Sequence, residues 1–223
     1  MENSKTQNLT TEGLSKLNTS IIVHPKLKHY GLRTIRLDSM VDWYQKVLGM
    51  AVNHRSAVPA GTQNGAPFSA MAFVSNDEAE HRIVFFEIPE VTNNPEKNRL
   101  PGLQHVAFEY QNLDELLGTY VRLKNLGILP VWVADQGVGM CFYYEDPDQN
   151  IVELNINNYG NDWTATEHLR NSPSREPADI DPEKLVDAHE KGASLWELHK
   201  RALAGEFTPE KSMEFDWHQR KLA

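Results

Sequence analysis

Apolar positions along this chain switch between a period of two and a period of 3.6, and the switching is carried out twice in the same order. Residues 27–34 read as a strand. Met40, Val41, Tyr44, Val47 and Leu48 then recur at helical spacing, which predicts a helix over 39–48 with Asp38 as its cap and Gly49 as its stop. Strands are predicted at 50–55, 68–75 and 81–88, with a loop rich in Pro, Gly and Asn at 57–67. After a polar linker at 89–101 the pattern restarts. Residues 102–110 repeat the first strand, and Asn112 or Asp114 opens a helix that runs to Asn125 and stops at Gly127. Strands at 129–134, 139–144 and 150–156 complete the second unit.

Setting His29 on His105 gives a shift of 76. Leu37 then falls on Leu113, Asp38 on Asp114, Met40 on Leu116, Val41 on Leu117 and Tyr44 on Tyr120, and Gly49 meets Gly127 after a two-residue insertion. A repeat that carries helix cap, helix face and strand histidine together is a structural unit. Each unit leaves one apolar sheet face uncovered, so two must pair. The expected fold is α+β: two βαβββ modules, 25–90 and 102–158, forming a curved mixed sheet around a central cleft within a domain spanning 21–158.

The tail, 159–205, changes character. Asp181 followed by Pro182 starts a helix, and Ser194-Leu195-Trp196-Glu197 is a capping box for another, anchored by Trp196 and ended by Gly205. Disorder is expected in 206–223 and in the polar arm 1–20, which has no apolar core and does not read as a signal peptide.

Composition narrows the partners. A net charge of −9 disfavours nucleic acid and anionic membranes, both of which need a basic face. No apolar run approaches a membrane span. Cys141 is the single cysteine, which excludes an intrachain disulfide and a thiolate zinc cluster and suggests a reducing compartment, the cytoplasm.

Candidate chemistry converges on the stretch 143–154, read as strand, tight turn, strand. Glu153 interrupts the β-formers Ile151, Val152 and Leu154, and a carboxylate in such a strand is costly to bury unless paired or metal-bound. His29 and His105 hold the same position in the two repeats. Two imidazoles and a carboxylate on one cleft, with coordination positions left open, suit a non-haem Fe(II) centre that admits substrate and O2 together. His24, His54, His168, His189, His199 and His218 fall outside the repeat and read as surface or structural residues.

These residues carry a resemblance. The stretches 27–50, 81–88 and 102–154, with the histidine-led strands and the Asp146-Pro147-Asp148-Gln149-Asn150 turn ahead of Glu153, resemble the vicinal oxygen chelate superfamily of glyoxalases, bleomycin-resistance proteins and extradiol dioxygenases. Within it the chain is most similar to the small type I extradiol dioxygenases, over both repeats and the tail. The resemblance implies Fe(II), with Mn(II) as an alternative, held by His29, His105 and Glu153, and cleavage of a small aromatic diol with O2; it is compatible with a homo-oligomer. It implies an acid/base histidine at His81, ahead of Arg82-Ile83, and a substrate-bonding tyrosine at Tyr143, ten residues before Glu153. One departure stands out. Where the family carries a further histidine, Gln136 takes the place, and glutamine can hydrogen-bond but cannot shuttle protons.

Glu87 supports another reading. It lies in the last strand of the first unit, as Glu153 does in the second, and would complete a two-His, two-Glu set like that of glyoxalase I, where Ni or Zn acts as a Lewis acid. A metal-free binding protein of the bleomycin-resistance type is the third class, and it would have no use for the two histidines and the glutamate.

Overall fold

Each apolar stripe becomes one buried face of an element. In a computed structural model, which describes residues 24–58, 67–92, 94, 97, 100–172 and 176–211, the first module runs β1 (Tyr30–Thr34), α1 (Leu37–Leu48), β2 (Ala51–Ala57), β3 (Ala70–Ser75) and β4 (Ile83–Glu87). The second runs β5 (His105–Glu109), α2 (Leu113–Asn125), β6 (Trp132–Asp135), β7 (Gly139–Glu145) and β8 (Ile151–Asn157). The tail adds α3 (Asp162–Asn171), β9 (Ala178–Asp179), α4 (Pro182–Glu190) and α5 (Leu195–Leu203). The arm 1–20 and the end 212–223 lie outside the described residues.

The expected curved sheet is built as two sheets. One has the order β1-β4-β3-β2, the other β5-β8-β7-β6-β9. In each module the first and last strands pair in parallel, so β1 and β5 become sheet edges. The helices cover one face of the sheets. Leu37, Met40, Tyr44 and Val47 pack with Ile83 and Phe85, and Leu116, Tyr120 and Leu123 with Phe142 and Leu154, in one continuous core.

Helix starts show where tertiary context decides. Asn112 caps α2, its Oδ1 accepting the Glu115 N–H at 2.9 Å. Asp38 does not cap α1. The N-cap is Arg36, which has no side-chain cap bond, and Asp38 pairs with Arg55. The Leu37 N–H instead donates to Glu87 Oε1 at 3.2 Å, so a carboxylate from β4 meets the positive end of α1.

The turn between β7 and β8 is organised by Asp146. Its buried carboxylate accepts the N–H groups of Asp148 and Asn150 at 2.9 and 2.8 Å and the Tyr44 hydroxyl of the other module at 3.1 Å. Gln149 takes φ +64, the left-handed conformation the turn requires. Arg36 with Asp148 at 3.0 Å, and Arg122 to the Lys46 carbonyl at 2.6 Å, add further ties between the modules.

The tail packs onto the second module. Ile180, Leu185, Leu198, Ala202 and Phe207 enter the common core, so packing continues past Gly205. The Ser194–Glu197 capping box is present as predicted. Trp196 is not the anchor of α5: it is 46% exposed, resting on Tyr159 and His199, while Leu198, His199 and Ala202 are buried. No helix among the described residues is long and apolar enough to cross a membrane.

Candidate metal centre

Strand register sets out one face of the second sheet. Tyr143 lies directly opposite Glu153 and Trp132 opposite Tyr143, so one row crosses β6, β7 and β8. Ala107 on β5 ends the row opposite Glu153. His105 stands two residues before Ala107, on the same face, and reaches diagonally: its Nε2 is 3.1 Å from Glu153 Oε2. Trp132, Ala134, Cys141, Tyr143 and Ile151 form a small apolar cluster here, apart from the main core. Trp132 therefore packs in this cluster and not in the main core. Its ring stacks on Tyr143 with centroids 5.0 Å apart.

Glu153 is buried, its other oxygen accepting Asn155 Nδ2 at 2.6 Å. The Tyr143 phenol is pushed up in pKa by burial, then by the neighbouring Cys141 and Glu153, so it stays a proton-bearing donor. Burial and Glu153 likewise push up the Cys141 thiol. Gln136 Nε2 donates to the Tyr143 oxygen, which leaves the phenol proton to point elsewhere.

His105 carries a further constraint. Its Nδ1 contacts the Gln104 side-chain amide. Its Nε2 faces the Glu153 carboxylate at 3.1 Å. One imidazole nitrogen and one carboxylate oxygen are the donor types a first-row divalent ion takes, so the pair fits such an ion.

The other sequence candidates gather on the first module. His29 and His81 are in ring contact at 4.3 Å, and His81 stacks on Phe73 at 4.3 Å. His81 is buried and its Nδ1 has no hydrogen-bond partner. Burial, then the adjacent His29, lowers its pKa. His54, set aside in the sequence, borders the same face through Phe73 at 5.5 Å. The candidates thus fall into two groups, His29 with His81 and His105 with Glu153, Tyr143 and Gln136. Among the described residues no three His, Cys, Asp or Glu side chains form a ready-made metal group. A cleft of about 520 Å³ runs along the seam between β1 and β5. Its lining includes His105, Gly31 and Arg33 but not Glu153, Tyr143 or His81.

Glu87 is not the counterpart of Glu153. With Tyr30 aligned on Val106, the pairs Tyr30–Ile83 and Val106–Val152 make Val84 the repeat mate of Glu153. Glu87 is three residues further along, on the opposite face, where it bonds the Leu37 N–H and the Ser69 hydroxyl at 3.2 Å each. Glu87 therefore does not share a face with Glu153, and the two do not complete a four-ligand set with His29 and His105. Glu87→Ala should lower stability by about 1 kcal/mol, the usual worth of a helix-cap acceptor, and leave metal affinity unchanged; melting curves and a metal titration check both halves.

A family model described as the Glyoxalase/Bleomycin resistance protein/Dioxygenase superfamily matches residues 26–154. Biphenyl-2,3-diol 1,2-dioxygenase 3 of Rhodococcus globerulus is 32% identical over 186 residues, 82% of this chain and 91% of that protein. Biphenyl-2,3-diol 1,2-dioxygenase 2 of the same organism is 31% identical over 190 residues, 83% of this chain and 93% of that protein. A solved glyoxalase/bleomycin resistance protein/dioxygenase domain from Frankia sp. EAN1pec shares the fold, with a TM-score of 0.50 at 19% identity over 60% of this chain and 93% of that one. The chain belongs to the glyoxalase/bleomycin resistance protein/dioxygenase superfamily.

Proposed function

We propose that this protein is an extradiol dioxygenase that uses non-haem Fe(II), or Mn(II) in its place, to cleave a catecholic ring with O2. The observation that carries the reading is the His105–Glu153 pair beside the Tyr143 phenol, in a chain about a third identical to two proteins named biphenyl-2,3-diol dioxygenases. His105 and Glu153 supply two of the metal's donors. His29, the repeat mate of His105 at the head of the facing edge strand, supplies the third. The bound ion would bring diol and dioxygen together and stabilise the charge that develops on them.

The rest of the work falls to side chains. His81, whose pKa burial lowers and whose Nδ1 makes no hydrogen bond, accepts the proton a diol gives up on binding and returns it during ring opening. Tyr143, held protonated by burial, donates a hydrogen bond to a substrate oxygen.

The test is an anaerobic titration of the Fe(II)-loaded protein with catechol, 3-methylcatechol and 2,3-dihydroxybiphenyl, followed by air. A yellow ring-opened product with matched O2 uptake is expected. No O2 uptake with any of the three would sink the reading. His81→Ala and Tyr143→Phe should each keep the metal and lose about a hundredfold or more in rate. A His81→Ala enzyme as fast as its parent would remove His81 from the chemistry.

A further inference from the structure

A buried polar knot lies behind the cleft, and nothing in the proposed chemistry uses it. Asp135, the last residue of β6, is 0% exposed. Its Oδ2 is 2.8 Å from Nδ1 of His199, a buried residue of α5. Its Oδ1 accepts the Gly137 N–H at 2.7 Å. Asn158 Nδ2 bridges the group, 3.2 and 3.1 Å from the two Asp135 oxygens, 3.2 Å from the Gly137 carbonyl and 3.1 Å from His199 Nδ1. Taking a carboxylate wholly out of water is unfavourable even when paired, and well-packed apolar residues would often serve stability better. The knot is better understood through what it holds.

What it holds is Gln136. Both of its neighbours are tied in: Asp135 by its side chain, Gly137 through its N–H and carbonyl. Gly137 takes φ +89, so the corner is sharp, and the Gln136 N–H closes it on the Gly139 carbonyl at 2.9 Å. From that corner the Gln136 amide reaches the Tyr143 hydroxyl. The tail also grips the same strand along its length. Ala178 and Asp179 of β9 pair with Asp135 and Ala134, and Trp132 Nε1 donates to Asp179 Oδ1 at 2.9 Å.

We propose that His199 is a positioning residue: by fixing Asp135 it fixes the Gln136 corner and, through it, the direction of the Tyr143 hydroxyl. The tail thereby sets how an aromatic diol is oriented in the cleft. The orienting half rests on the reading of Tyr143 as a substrate contact. The holding half, from His199 to the corner, does not.

The experiment compares His199→Leu with His199→Asn in the full-length, Fe(II)-loaded protein. Asparagine places an N–H near the position of Nδ1 and should restore the bond to Asp135. Leucine fills similar space without a donor. His199→Leu should keep its iron and lose about tenfold or more in kcat, the scale at which small misplacement acts, with a smaller change in KM. His199→Asn should recover to within about twofold of the parent, and Gln136→Ala should reproduce the leucine signature. Adding His199→Leu to Gln136→Ala should then cost no further rate, because the two act in series. Amide exchange at Gly137, which needs no turnover, should speed up in His199→Leu and not in His199→Asn. Unchanged Gly137 exchange in the leucine variant overturns the proposal whatever the kinetics. Faster exchange with unchanged kinetics overturns the orienting half. Faster exchange in a protein whose parent cleaves no diol refutes the dioxygenase reading and leaves the holding half standing. If His199→Leu does not fold, His199→Phe carries the same comparison.

Discussion

Glu153→Ala should abolish metal loading and ring cleavage together while the protein stays folded. The carboxylate is buried, stands 3.1 Å from His105 Nε2 and lies opposite Tyr143. Its removal takes the only charged donor from the proposed centre. The loss of affinity should exceed the tenfold to hundredfold that outer partners of a metal ligand typically cost. The fold should tolerate the change, because a desolvated charge goes with the side chain, and the partners it leaves, Asn155 and His105 among them, sit at the face of the sheet and not in the main core. Elemental analysis after anaerobic loading is the measurement, alongside O2 uptake with a catechol. His105→Ala should behave likewise, and His29→Ala tests the third donor. Full iron occupancy after any one of these removes that residue from the ligand set.

Deleting the tail from Thr164 onward should leave no stable fold. Ile180, Leu185, Leu198 and Phe207 are each 2% exposed or less and belong to the common core. At about 1.5–3 kcal/mol for each large buried apolar side chain, their loss rivals the whole margin of a typical domain, which is about 5–15 kcal/mol. Two further losses compound it. Asp135 is left buried without His199, and the β6 edge is left bare of β9. Circular dichroism should show a truncated protein without a cooperative melt. A truncation that melts like the parent would show that the first 163 residues are self-sufficient.

The sequence laid out the repeat because its spacing is local and occurs twice. His29 on His105, Tyr44 on Tyr120 and Gly49 on Gly127 placed both modules before any register was visible, and the Ser194–Glu197 box announced α5. What stayed hidden depended on pairing across distance. Glu87 looked like a second Glu153 because both lie in the last strand of a module; only the parallel pairing with β1 shows it facing α1. Asp38 looked like a cap because the acceptor that caps α1 comes from β4. Helix α3 was missed since it buries only Ala165 and carries no apolar stripe. The Asp135–His199 contact joins residues 64 apart that share no motif. At the proposed centre, residue types were legible from the repeat. The division into a His29–His81 group and a His105–Glu153 group was not, because it depends on how two separate sheets face each other.

That separation has a mechanical side. Edges β1 and β5 belong to different sheets, and the halves are tied by side-chain bonds such as Tyr44 to Asp146, Arg36 to Asp148 and Arg122 to the Lys46 carbonyl. Such a seam parts more readily under load than a strand ladder. An ion that takes His29 from one half and the His105–Glu153 pair from the other would act as a rivet across it. Pulled apart from its two ends, the iron-loaded chain should rupture at higher force than the stripped chain, and the extra force should vanish with His29→Ala. The same rivet would tie the width of the substrate cleft to whether the ion is in place.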